Sequence, residues 1–139
     1  MERGVRPPGT EEPMAGDEFV LYDLKVEVVE GERPFVCAHK AGDSFRVEGE
    51  NLVFDEGTSF SQYALAALLP LLPAKQRPLQ GADWMLSDSL VACPDPNCGA
   101  RFKISRTGMR TFSHGACTVV PLAQEEDGAR GEALGEALT

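Results

Sequence analysis

The chain has 139 residues, 42% of them hydrophobic and 25% charged, enough for one domain with its own core and too apolar for wholesale disorder. Its formal charge of -9 disfavours a nucleic-acid partner, although the acidity sits at the ends: residues 1–18 sum to -3 and residues 122–139 to -4, leaving -2 between them. No apolar run approaches the roughly 18 residues of a membrane-spanning helix, so a membrane protein is not expected.

Residues 1–17, MERGVRPPGTEEPMAGD, are rich in proline, glycine and charge, and they lack the apolar stretch of a secretory signal. They read as a flexible segment leading into a cytoplasmic protein with a single domain over 18–121. In LKVEVVE, Leu24, Val26 and Val28 alternate with Lys25 and Glu27, the period of a half-buried strand, which closes at Gly31. SFRVE and NLVFD read as a second and a third strand.

From Ser59 the period changes. Phe60, Tyr63, Ala64, Ala67, Leu68 and Leu71 fall on one face of a helix, Ser59 and Gln62 have the spacing of a reciprocal N-terminal cap, and Pro70 and Pro73 end or kink it. A linker follows with Arg77, Asp83 and the only tryptophan, Trp84, which reads either as an interface anchor or as a plug for the end of the sheet. SLVA and ARFKIS then frame a cysteine loop, Arg106-Thr107-Gly108 makes a turn, Arg110 to Phe112 a brief return strand, and CTVVPL a last one. Residues 122–139 are acidic and glycine-broken and are expected to be a disordered tail. The order predicts an α+β fold, a small antiparallel sheet packed against one main amphipathic helix with disordered acidic tails.

The chemistry gathers at four cysteines and two histidines. In a reducing compartment four thiols point to metal ligation, catalysis or plain burial rather than to two disulfides. VACPDPNCGARFKIS carries Cys93 and Cys98 as C-x4-C at the tip of a hairpin, the form of half a structural zinc site. Gly99 is expected to supply the positive φ that turns backbone N–H groups toward thiolate sulfur. Two further ligands are available from Cys37 and His39 in FVCAHKAGD, or from His114 and Cys117 in FSHGACT; spacing alone favours the second pair. Cys37 beside His39 also admits a reading as a thiolate and imidazolium nucleophile.

DLKVEVVEG, CAHKAGDSF, FSQYALAALLPLLPAKQR, DWMLSD and ACPDPNCGARFKISRTG together resemble a family of short prokaryotic proteins, a conserved hypothetical domain with a Cys-Pro-Asp-Pro motif and no established activity. The resemblance covers roughly Asp23 to Arg110 and matches its recurring thiols to Cys37 and Cys93. Some members carry another cysteine just before the helix, where this chain has Phe54 and Asp55. The resemblance implies one compact domain and tilts the ligand set to Cys37, His39, Cys93 and Cys98, since His114 and Cys117 lie beyond it.

The expected function is that of a small cytoplasmic binding or accessory module stabilised by zinc, with a protein or a small molecule as partner. The alternatives are a small enzyme or enzyme subunit using Cys37 and His39 or an open metal position, and an interaction domain with inert buried thiols.

Overall fold

Two long strands make the backbone of the fold, β1 (Glu18–Glu30) and β5 (Ala100–Ser113), paired antiparallel along their whole length. The computed structural model describes residues 16–123. β2 (Ser44–Glu48) and β3 (Asn51–Val53) extend the sheet beyond β1, and β4 (Leu90–Ala92) caps the far side of β5. All pairings are antiparallel, in the order β3-β2-β1-β5-β4. The expected tails fall almost wholly outside the described residues.

Alternation fixes which face is buried. Tyr22, Leu24, Val26 and Val28 of β1 point into the core with Phe45 and Val47 of β2 and Ala100, Phe102 and Ile104 of β5. The opposite face carries charge, where Arg110 donates from Nε to both oxygens of the buried Asp23, at 2.8 and 3.0 Å. Glu48 joins that pair across the sheet, with an oxygen 3.6 Å from Arg110.

Three expectations need correction. Arg106-Thr107-Gly108 is no turn: β5 runs straight through it with a bulge, since Asp23 pairs with Gly108 and Leu24 with Arg106, leaving Thr107 as the extra residue. One added residue flips the alternation, so Phe102 and Ile104 face inward before the bulge and Met109 and Thr111 are buried after it. That change of phase is what imitates a break between two strands. The terminal CTVVPL forms no strand either. A short helix, α3 (His114–Cys117), ends the sheet, and Val119 and Val120 beyond it are exposed and pair with no strand among the described residues.

The single main helix is replaced by two short ones, α1 (Gln62–Leu68) and α2 (Leu72–Gln76). Ser61, not Ser59, caps α1, its Oγ accepting from the N–H groups of Tyr63 and Ala64 at 3.2 and 3.3 Å. Pro70 falls between the helices, and Pro73 sits in the first turn of α2, where a missing N–H costs nothing. Ala64, Leu68 and Leu72 still seal the core. Buried Lys75 on α2 donates to the carbonyls of Met85 and Asp88 and so ties down a 3-10 turn, Trp84–Leu86, whose tryptophan stays exposed rather than plugging the sheet. Among the described residues no helix is long and apolar enough to cross a membrane.

Candidate metal centre

The register of β1 against β5 builds the site. Glu30, the last residue of β1, pairs with Ala100, the first of β5, so the chain leaving β1 passes directly over the loop that precedes β5. The contact is closer than side chains allow. A Cβ at Gly99 would lie 1.5 Å from the carbonyl oxygen of Arg33, and one at Gly31 would lie 2.3 Å from that of Gly99. Gly99 donates its N–H to Pro34 at 3.0 Å, locking the two segments together. Gly99 is therefore required for approach and not for positive φ, which among the described residues only Gly42, Gly49 and Gly57 adopt.

The two loops are each closed on themselves. Between β4 and β5, Cys93 donates to Ala100 (3.3 Å), Cys98 to Asp95 (3.0 Å), and Asn97 to the Asp95 carboxylate (2.9 Å), so a compact turn carries both thiols. After β1, Gly42 donates to Val28 and Val28 to Asp43, both at 2.8 Å, returning residues 31–43 to the sheet edge. Cys37 rides on that second loop.

These constraints bring Sγ of Cys37, Cys93 and Cys98 within 4.8 Å of one another. Cys98 and Cys37 are 3.4 Å apart, well beyond the ~2.05 Å of a disulfide, and all four cysteines are free. Cys98 is buried to 1% exposure, whereas Cys37 and Cys93 are half-buried. Each sulfur faces the backbone N–H two residues on, that of His39 for Cys37, Asp95 for Cys93 and Ala100 for Cys98. Such donors stabilise thiolate over thiol.

The three thiols differ in acidity. Burial would push Cys98 up, but the N–H groups of Ala100, Cys37 and Val36 and the thiol of Cys37 all donate to it and bring it down to about 6. The Val36 N–H lies 3.2 Å from its sulfur. Burial pushes Cys37 and Cys93 up, and proximity to Cys98 adds to this in both. One thiolate is thus prepared at neutral pH, with two neighbours that hold their protons against it.

Of the four residues expected as ligands, Cys37, Cys93 and Cys98 come together and His39 does not. His39 is 8% exposed, its ring packed on Phe60 (4.4 Å between centroids) and Phe102 (5.5 Å). Its Nε2 accepts the N–H of Ser61 at 3.2 Å, which puts the proton on Nδ1, 3.9 Å from the Asp43 carboxylate. Burial lowers its pKa, with Asp43 opposing. His39 therefore fixes the start of α1 against the thiol loop as a neutral side chain. The other pair, His114 and Cys117, lies past the far end of β5, a 14-residue strand from Cys98, about 45 Å at the usual rise. Nε2 of His114 is 2.6 Å from the carbonyl of Val120, and Cys117 is exposed.

Sequence reasoning missed Gly31, whose lack of a side chain is needed as much as that of Gly99, and the part played by Ser61. Nothing in a single sequence marks a glycine as a contact point between loops; only the register of β1 against β5 does. The fold and the site define an α+β domain with a three-thiol centre at one end of the paired strands β1 and β5. Comparison with protein-family profiles, with curated proteins and with solved structures gave no match.

Proposed function

We propose that this chain is a small zinc-binding module in which one ion clips the loop after β1 to the β4–β5 hairpin, serving in the cytoplasm as a binding or accessory domain for a protein or a small molecule. The observation that carries this reading is the convergence of three cysteine sulfurs from two segments more than fifty residues apart in sequence, all within 4.8 Å of one another. Three thiolates each about 2.3 Å from one tetrahedral ion stand about 3.8 Å apart, a spacing bracketed by the 3.4 Å between Cys98 and Cys37 and that outer limit. The N–H groups turned toward each sulfur favour the deprotonated form that a metal needs. Thiolate donors suit zinc and other soft ions rather than magnesium or calcium.

A nucleophilic Cys37 finds less support. Its thiol is pushed up and not down, and what His39 offers it is a backbone N–H rather than an imidazolium. Three thiolates also neutralise much of an ion's positive charge, so holding two loops together fits the donor set better than activating water. Elemental mass spectrometry on protein purified without a histidine tag tests the reading: about one equivalent of zinc is expected for a site of this kind, and less than about a tenth of an equivalent overturns it.

A further inference from the structure

A structural zinc site is closed by four protein donors, and the described residues bring three within reach. All four cysteines and both histidines of the sequence lie among the described residues, so each thiol and each imidazole can be placed. Cys117 and His114 stand beyond the opposite end of β5. His39 is the only nearby imidazole, and it is held by the Ser61 N–H and by packing against Phe60 and Phe102. Turning it toward the thiols would strip the first N–H of α1's cap and empty a packed position in the core.

The unequal burial of the three cysteines gives the remaining position a direction. Cys98 forms the floor, while Cys37 and Cys93 form half-exposed walls, so an ion seated on all three has its fourth side toward solvent. Charge then selects the ligand. Three thiolates around a divalent ion carry a net charge of -1, and Asp95, in the loop between Cys93 and Cys98, adds a carboxylate close by. A further anion meets a Coulomb cost there that a neutral donor does not. Among neutral donors an aromatic nitrogen is a good partner for a zinc ion already bound by sulfur.

Resting on the metal reading above, we infer that the ion held by Cys37, Cys93 and Cys98 keeps one coordination position for a neutral nitrogen donor of the imidazole kind from outside the chain. Water occupies that position when no such donor is present. The domain then recognises its partner through the metal, with the three cysteines as anchor and the incoming nitrogen as the exchangeable fourth ligand.

Cobalt substitution of the full chain tests this. Cobalt-loaded protein should show thiolate-to-metal charge transfer in the near ultraviolet and ligand-field bands in the visible. Imidazole should shift the ligand-field bands saturably, with a one-to-one endpoint, while leaving the charge-transfer intensity in place; azide at the same concentrations should not. His39→Gln should give the same starting spectrum and the same response. The inference is overturned if imidazole leaves the bands unchanged, if azide shifts them as imidazole does, or if His39→Gln alters the starting spectrum, which would make His39 the fourth ligand. Absence of any thiolate charge-transfer band overturns instead the metal reading on which it rests.

Discussion

Substituting Gly99 by alanine should damage this protein far more than a one-carbon change normally does. The new Cβ would stand 1.5 Å from the Arg33 carbonyl oxygen and 2.3 Å from its carbon, against the 3.0 Å below which such contacts do not occur. Residues 31–37 must therefore retreat by about 1.5 Å or more, an overpacking that costs about 1–3 kcal/mol. The retreat also breaks the bond from the Gly99 N–H to Pro34 and the one from Val36 to the Cys98 sulfur, at about 0.5–1.5 kcal/mol each. The total is about 2–6 kcal/mol, a large part of the ~5–15 kcal/mol that holds a domain of this size together. Because Cys37 moves with the retreating segment, the thiol cluster opens as well. Urea unfolding and the count of thiols that react quickly with a disulfide reagent, both on metal-free protein, measure the two effects. Gly42→Ala is the control: its φ of +96° makes alanine strained, yet a Cβ there meets nothing within 4 Å. It should cost about 1–2 kcal/mol and leave the thiol count as it was. A Gly99→Ala protein with unchanged urea midpoint, unchanged slope and unchanged thiol reactivity would refute the packing argument.

Other consequences follow from the same geometry. Cys98→Ser should abolish zinc retention while Cys117→Ser keeps it, read by metal content after dialysis. Zinc binding near pH 7 should release about two protons per ion, because Cys98, at about 6, is already largely ionised while Cys37 and Cys93 are pushed up; calorimetry in buffers of different ionisation enthalpy counts them, and affinity should rise with pH. His39 should titrate below its ordinary 6.5 in an NMR pH series. The sign for stability follows: below 6.5 the unfolded chain takes up a proton that folded His39 refuses, so stability should fall as pH drops through that window, down to the lowered folded value. His39→Phe should lose that slope and, by leaving the partly buried Ser61 N–H without its acceptor, cost about 1 kcal/mol.

Much of the sheet was legible because β-alternation is local: Leu24, Val26 and Val28 against Lys25 and Glu27 name both the strand and its buried face. What escaped depends on relations between elements. The bulge at Thr107 reverses the alternation within one strand, and a reversal looks like an end until the partner strand is known. Pro70 and Pro73 were legible as breakers, but that Pro73 opens a second helix rather than closing the first depends on how Leu68 and Leu72 share one core. CTVVPL has the composition of a strand and, among the described residues, no neighbour to pair with.

The candidate site divides in the same way. C-x4-C between two strands identified a hairpin tip, and Cys37 stood beside it in one of two candidate pairs between which spacing alone preferred the other. His39 was misleading because its neighbourhood to Cys37 in sequence says nothing of ring direction, which the Ser61 N–H and two phenylalanine rings decide. A histidine two positions from a cysteine of the cluster can thus be a core residue.

The account depends on three thiols from two distant loops sharing one ion, and zinc K-edge X-ray absorption on the loaded, tag-free protein examines that directly. It should find three sulfur neighbours at about 2.3 Å and one lighter neighbour at about 2.0–2.1 Å. Two or fewer sulfurs, or a shell of nitrogen and oxygen alone, would contradict it.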